Sequence, residues 1–186
     1  MKSHIFSAIR LTLVSAIIFI GVYSLLIFGI AQLSPSKGMG ETINQNGKTY
    51  FVNIGQKFTD DKYFWSRPSA VDYNASGSAG SNKAPSNPDY LKDVQKRIDY
   101  FLAHNPEVKK AEIPSEMVTA SGSGLDPDIS VASANIQIKR ISKIRNIPEA
   151  NLKQLILSNT EQPLFRLFGP EKINVLKINL ALDQLK

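Results

Sequence analysis

From Leu11 to Ser36 the chain reads LTLVSAIIFIGVYSLLIFGIAQLSPS, without one charged residue. No other feature narrows the possible folds so far. An α-helix rises about 1.5 Å per residue, so roughly 20 apolar residues cross the hydrocarbon core of a bilayer. Leu11–Leu33 is long enough with some tilt. The apolar part of a secretory signal peptide runs only about 7–15 residues. The expectation is therefore a retained single-pass anchor, although Gly29-Ile30-Ala31 faintly resembles a cleavage site. Lys2 and Arg10 precede the span, while Lys37 and Lys48 follow it. With the terminal amine this narrowly favours a cytoplasmic N-terminus. On this reading residues 1–10 are a short cytoplasmic leader, 11–33 the transmembrane helix and 34–48 a polar stalk. Residues 49–186 are one extracytoplasmic domain held at the cell membrane. Gly21, Ser24 and Gly29 are small enough to let another helix approach the span closely.

The outer domain reads as α+β. Tyr50–Ile54 is a short β-leaning run. The stretch from Asp61 to Tyr90 is rich in Gly, Ser, Asn and Pro, yet carries Tyr63, Phe64, Trp65 and Tyr73. Disordered chains avoid aromatics, so an ordered, irregular loop is expected over the domain surface. Asn87-Pro88 opens a helix to about His104, with Tyr90, Val94, Ile98, Phe101 and Leu102 on one face. Glu116–Ser121 is a strand candidate. Ser130 caps a helix over 131–145 with Val131, Ala134, Ile138 and Ile141 as its buried stripe. Pro148 sits in the first turn of another, through about Ser158. In KINVLKINLALD, Ile173, Val175 and Ile178 predict a closing strand.

Composition removes several chemistries. Without cysteine there is no disulfide, thiolate nucleophile or cysteine-ligated metal. His4 and His104 are the only histidines, too few for a His-rich metal site. The net charge of +6 is dispersed apart from KRISKIR at 139–145, whose cations suit a helix C-terminus. No basic block is interleaved with aromatics, so no nucleic-acid partner is expected.

Two stretches remain as candidate sites. VTASGSGLDPDIS, residues 118–130, is of a kind that cradles phosphates, holds nucleophilic serines or turns the chain. It lacks the Gly-Lys-Ser/Thr ending of a phosphate loop, and only loosely resembles the small-residue signature of ABC-type ATPases. Gly122-Ser123-Gly124 lacks the spacing of a Gly-x-Ser-x-Gly elbow, and a base would have to be His104. Turn geometry, a binding role and a membrane-anchored serine hydrolase using Ser121 or Ser123 stay open. KYFWSRPSA is the second stretch. Tyr63, Phe64, Trp65 and Arg67 are residue types that dominate protein–protein hot spots, unless Phe64 and Trp65 plug the core while Arg67 pairs with an acid nearby. Asp126 and Asp128 suit turn roles, and no catalytic carboxylate pair stands out. A ligand-binding outer domain acting alone is the remaining alternative.

The ordered blocks YFWSRPSAVDYN, SGSAGSNKAPSNP, IPSEMVTASGSGLDPDIS, QIKRISKIR and QPLFRLFGPEKINVLKINLALD follow a single N-terminal span. In these the chain resembles the KdpC family, the C subunits of the Kdp potassium-transporting ATPase, over nearly its whole length. It departs from the family pattern at Lys83-Ala84, Asp128 and Arg166. The resemblance implies a subunit with no catalytic, cofactor or metal site of its own, in a pump that uses ATP, Mg2+ and K+. The implied partners are a channel-like A subunit, a P-type B subunit, a small F subunit and membrane lipid. It also implies an assembly role, and a chaperone-like effect raising the B subunit's ATP affinity through the small-residue stretch. Since ATP is cytoplasmic, an outer domain acts on it only indirectly. Docking is then expected through Tyr63, Phe64, Trp65 and Arg67 together with Ser121, Gly122, Ser123, Gly124 and Asp126.

Overall fold

The apolar stretch forms one uninterrupted helical rod in a computed structural model that describes residues 2–45 and 47–185, with side chains from His4 onward. Met1, Asn46 and Lys186, which fall in the expected leader, stalk and outer domain, lie outside the described residues. Helix α1 spans Lys2–Ala16, a π-helical segment Ile17–Val22 continues it, and α2 spans Tyr23–Gln32. Among the described residues this is the one helix long and apolar enough to cross a membrane, His4–Gln32 with a mean hydropathy of 2.6. Its Phe and Ile side chains stand exposed. A soluble protein would bury them, whereas lipid leaves no penalty for exposing them. A Cβ added at Gly21 or Gly29 would meet nothing within 4 Å. Past the helix, residues expected as a plain stalk include half of a hairpin: β1 Thr42–Gln45 pairs antiparallel with β2 Lys48–Phe51. Gly47, at φ 74°, stands in its turn. These elements make up one compact unit, Met1–Phe51, and Val52–Lys186 makes up a second.

The second unit is mixed α/β. Helix α3 spans Pro88–His104, and its start is written in sequence: the Asn87 side chain accepts from the Asp89 and Tyr90 amides at 2.9 and 3.1 Å. Pro88 fills the first helical position, where no N–H is needed. The strand expected at Glu116–Ser121 does not form; Ser115–Met117 is a 3-10 turn. Its Met117 and Val118 are buried, so an apolar pair in an otherwise polar run marks core contact here, not sheet pairing. The single helix expected over 131–145 is two, α4 Val131–Asn135 and α5 Ile138–Arg145. Ala134, Ile138 and Ile141 are nonetheless buried as one stripe. Helix α5 ends on Asn146 in the left-handed conformation. Helix α6 spans Glu149–Asn159, with Pro148 as its cap.

The closing strand is also shorter than expected. Strand β5 covers only Lys172–Asn174, and Val175–Gln184 is helix α7. Asn174 makes the change, because its side chain accepts from the Lys177 amide at 3.0 Å as an N-cap. Strands β3 Asp128–Ile129 and β4 Thr160–Glu161 flank β5 antiparallel in the order β3-β5-β4. So small a sheet cannot carry the domain. The core is held instead by Ile141, Leu152, Ile156, Ile178 and Leu182 from the helices with Ile129 and Ile173 from the sheet, each at most 1% exposed. Every such side chain contributes about 1.5–3 kcal/mol of burial. Phe64, fully buried in the same cluster, enters it from the irregular loop.

Candidate functional site

Both candidate stretches lie in the second unit, and they are fastened to each other. Pro68 accepts from the Ser121 amide at 3.1 Å, and the Ser69 hydroxyl donates to the Gly124 carbonyl at 2.6 Å. Ser78 donates to the Ser123 carbonyl at 3.0 Å, and the Gly55 amide to the Leu125 carbonyl at 2.7 Å. Arg67 Nη1 closes the seam on Asp126 Oδ2 at 2.5 Å. The acid it meets is 59 residues away in sequence, not nearby. Asp126 also turns its own backbone, accepting from the Asp128 amide at 3.1 Å.

Glycine is required where the two stretches touch. Gly124 has φ 68°, and a Cβ there would stand 2.6 Å from Val71 Cγ2 and 2.9 Å from the Ala79 carbonyl. Gly55 lies so close to Asp126 that a Cβ would meet its carbonyl at 2.6 Å. The small residues of SGSG thus let two backbones approach. Ser121 is only 3% exposed, while Gly122 and Ser123 face solvent. The Ser123 hydroxyl accepts from the Leu125 amide at 3.1 Å, so it braces the turn. Of the three roles open to this stretch, chain turning and clasping describe its contacts.

Phe64 and Trp65 go inward, at 0% and 7% exposure. Their backbone is captured by buried amides. Asn179 Oδ1 accepts from the Phe64 amide and Nδ2 donates to the Phe64 carbonyl, both at 2.9 Å. Gln137 Oε1 accepts from the Trp65 amide at 2.8 Å. The loop therefore has its main-chain groups satisfied as a strand would, but by side chains. Helix α4 ends where it does for the same reason. The Gln137 amide bonds to Ala134 rather than one residue further back, and the freed Ser133 carbonyl accepts from Gln137 Nε2 at 2.9 Å.

Arg140, in the basic run, is 6% exposed instead of solvated. It donates to Asn105 Oδ1 at 3.0 Å, Gln137 Oε1 at 2.7 Å, the Tyr63 carbonyl at 3.1 Å and the Asp61 carbonyl. Its guanidinium lies over the Trp65 ring, 4.4 Å from the centroid. Burial lowers its pKa to about 10, so it keeps its charge at neutral pH. Arg145 does related work outside, donating to the Lys62 carbonyl at 2.8 Å and pairing with Asp183 at 2.5 Å. Tyr63 donates to the same carboxylate at 2.9 Å. The loop's other aromatic, Tyr73, gives its hydroxyl to the Arg67 carbonyl at 2.5 Å, and burial pushes its pKa up to about 12. His104 Nδ1 is held by Asp61 at 2.8 Å beside the Trp65 ring. A cleft of about 460 Å³ lies between the loop and α3, lined by Trp65, Tyr73, Arg97 and Tyr100 among others.

Sequence reasoning therefore found the two stretches but missed the residues that hold the aromatic one: Gln137, Arg140 and Asn179. A signal was present. Gln137 and Asn179 each stand between apolar neighbours, Ile136 and Ile138 or Ile178 and Leu180, and a polar residue so placed on a buried face must be satisfied internally.

Known proteins match this chain over nearly its whole length. The family described as KdpC, K+-transporting ATPase, c chain, matches residues 5–184. The potassium-transporting ATPase KdpC subunit of Flavobacterium johnsoniae is 56% identical over 184 residues, covering 98% of this chain and 99% of that one. The same subunit of Flavobacterium psychrophilum is 54% identical with the same coverage. That of Bacteroides fragilis is 46% identical over 183 residues, covering 96% of each.

Proposed function

The chain belongs to the KdpC family of K+-transporting ATPase c chains, and on that premise we propose that it is the non-catalytic assembly subunit of an ATP-driven K+ import complex. Its helix 11–33 anchors it in the cell membrane, with the N-terminus cytoplasmic and residues 49–186 outside. It joins a channel-like A subunit, a P-type B subunit and a small F subunit, whose joint cycle consumes ATP with Mg2+ and moves K+. Small residues Gly21, Ser24 and Gly29 let neighbouring helices pack against the span.

The observation that carries this reading is the clasp between the two candidate stretches. SGSG spends its backbone on binding the aromatic loop, and this supports a shaped docking surface over a catalytic elbow. Phe64 and Trp65 act from the core, by fixing the loop. Tyr63, Arg67, Gly122, Ser123 and Asp126 are the parts of the candidate set that reach the surface. The hydrolase alternative has less support, because Ser121 is buried and the Ser123 hydroxyl is taken up in its own turn, accepting from the Leu125 amide. With the domain outside and ATP inside, an effect of Ser121–Gly124 on nucleotide affinity passes through the span or the channel-like subunit.

Deleting the chain is expected to abolish ATP-driven K+ uptake, and affinity purification from membranes to bring a channel-like protein and a P-type ATPase with it. Normal coupled uptake in its absence overturns the assignment. Protease added to intact, wall-stripped cells is expected to cut residues 49–186; complete protection overturns the topology.

A further inference from the structure

The second unit exposes few large apolar side chains, and four of them are crowded into one turn. Leu164, Phe165, Leu167 and Phe168 are 64%, 79%, 79% and 65% exposed. The others, including Leu91, Ile144 and Leu157, are scattered. At roughly 150–250 Å² per aromatic side chain, the cluster exposes on the order of 500 Å², at the size where a surface patch is usually functional.

The turn is built to present them. Leu164 and Phe168 exchange backbone hydrogen bonds at 3.1 and 3.0 Å, closing it tightly. Phe165 and Arg166 take left-handed conformations in succession, φ 54° and 60°, and Gly169 follows at 87°. Non-glycine residues held this way cost on the order of 1 kcal/mol or more each. The turn's own backbone hydrogen bonds offset that cost, while the Phe165 and Arg166 side chains stand exposed. Arg166 makes no side-chain hydrogen bond or ion pair with any described residue.

We propose that the 164–168 turn is a docking plug for another chain of the ATPase, which receives Phe165 and Leu167 in an apolar socket and faces Arg166 with a carboxylate. This rests on the reading of the chain as a subunit. Charge selects protein over lipid. A surface loop that enters an anionic bilayer carries clustered Lys and Arg. This turn has a single cation; the neighbouring Lys172 and Lys177 are tied to Glu161, Lys172 also to Asp128, and Glu171 stands exposed beside it, so no cationic cluster faces out. One Arg amid Phe and Leu is the make-up of a protein hot spot instead.

The test uses the whole set of chains in membranes, with this one tagged. A photoreactive benzoylphenylalanine at position 165 is expected to crosslink to another chain of the ATPase. The double variant Phe165→Ser, Leu167→Ser is expected to lose about 30-fold or more in association. It should keep the wild-type unfolding midpoint, because both altered side chains are 79% exposed. Leu157→Ser, 66% exposed and outside the cluster, is expected to purify like the wild type. Crosslinking only to lipid, only to a second copy, or to nothing overturns the plug while the subunit reading stands, as does full co-purification of the double variant. A wild-type chain that brings no other chain overturns the subunit reading and the plug with it.

Discussion

Asn179 holds Phe64 by both of its main-chain polar groups, accepting from the N–H and donating to the carbonyl at 2.9 Å each. One side chain of α7 does what a neighbouring strand would otherwise do. Removing it strands two buried groups. Asn179→Leu is expected to destabilise the protein by about 2–4 kcal/mol, read as a drop in the unfolding midpoint of the full chain in detergent. The apolar replacement fills similar space, so the loss reports the hydrogen bonds and not a cavity.

Gly122 and Gly124 look alike in sequence but occupy opposite situations. Gly124 is left-handed and pressed against Val71 and Ala79, while a Cβ on Gly122 would meet nothing within 4 Å. Gly124→Ala is expected to cost about 2 kcal/mol or more, combining backbone strain with a forced gap in the clasp. Gly122→Ala is expected to stay within about 0.5 kcal/mol of wild type. Equal midpoints for the two variants would remove the close-approach argument.

Trp65 packs between Phe101, Tyr100 and His104, with Arg140 over its ring. Trp65→Ala is therefore expected to lower stability by about 3–5 kcal/mol. A direct docking residue would behave differently, weakening co-purification with an unchanged midpoint. Measuring both quantities on the same variant separates the roles.

Acid should loosen the start of α4. Glu116 accepts from the Ser130 amide at 2.8 Å and from the Ser133 hydroxyl. Burial alone would raise its pKa, but the hydrogen bonds from Ser133 and Ser130 outweigh it, and the value lies below the usual 4.5. A carboxyl that ionises more readily in the folded state contributes stability that is complete above the unfolded pKa. That contribution is lost as pH falls through the folded one. Below about pH 4.5 the unfolding midpoint should fall less steeply in Glu116→Gln than in wild type, measured as midpoint against pH for both.

Local signals were legible in sequence and long-range ones were not. Asn87-Pro88 announced α3 because a cap and a proline act on adjacent residues. The uncharged span announced itself by length. The α4–α5 break was hidden because its apolar stripe runs on through Ala134, Ile138 and Ile141. Gln137 is engaged there by the distant Trp65 amide as well as by Arg140 and the Ser133 carbonyl, and the Trp65 partner is invisible to local sequence. Ile173 and Val175 alternate as a strand would, and so short an alternation fits a helix start equally well; the Asn174 cap decides between them. Arg140 read as one of a basic run suited to a helix C-terminus, since the carbonyls that bury it come from residues 61 and 63. For the candidate site, the aromatic and small-residue stretches could be picked out singly, but their mutual fastening could not.

The amide clamp also sets a timetable. Phe64 is synthesised 115 residues ahead of Asn179, a lag of roughly 6–23 s at ordinary translation rates. Throughout that wait the Tyr63-Phe64-Trp65 triplet has no permanent home and must not find one in another nascent chain. The charges before it, Asp60, Asp61 and Lys62, and Arg67-Pro68 after it are what discourages such self-pairing, so the ends of the triplet guard its birth while the middle determines its final shape.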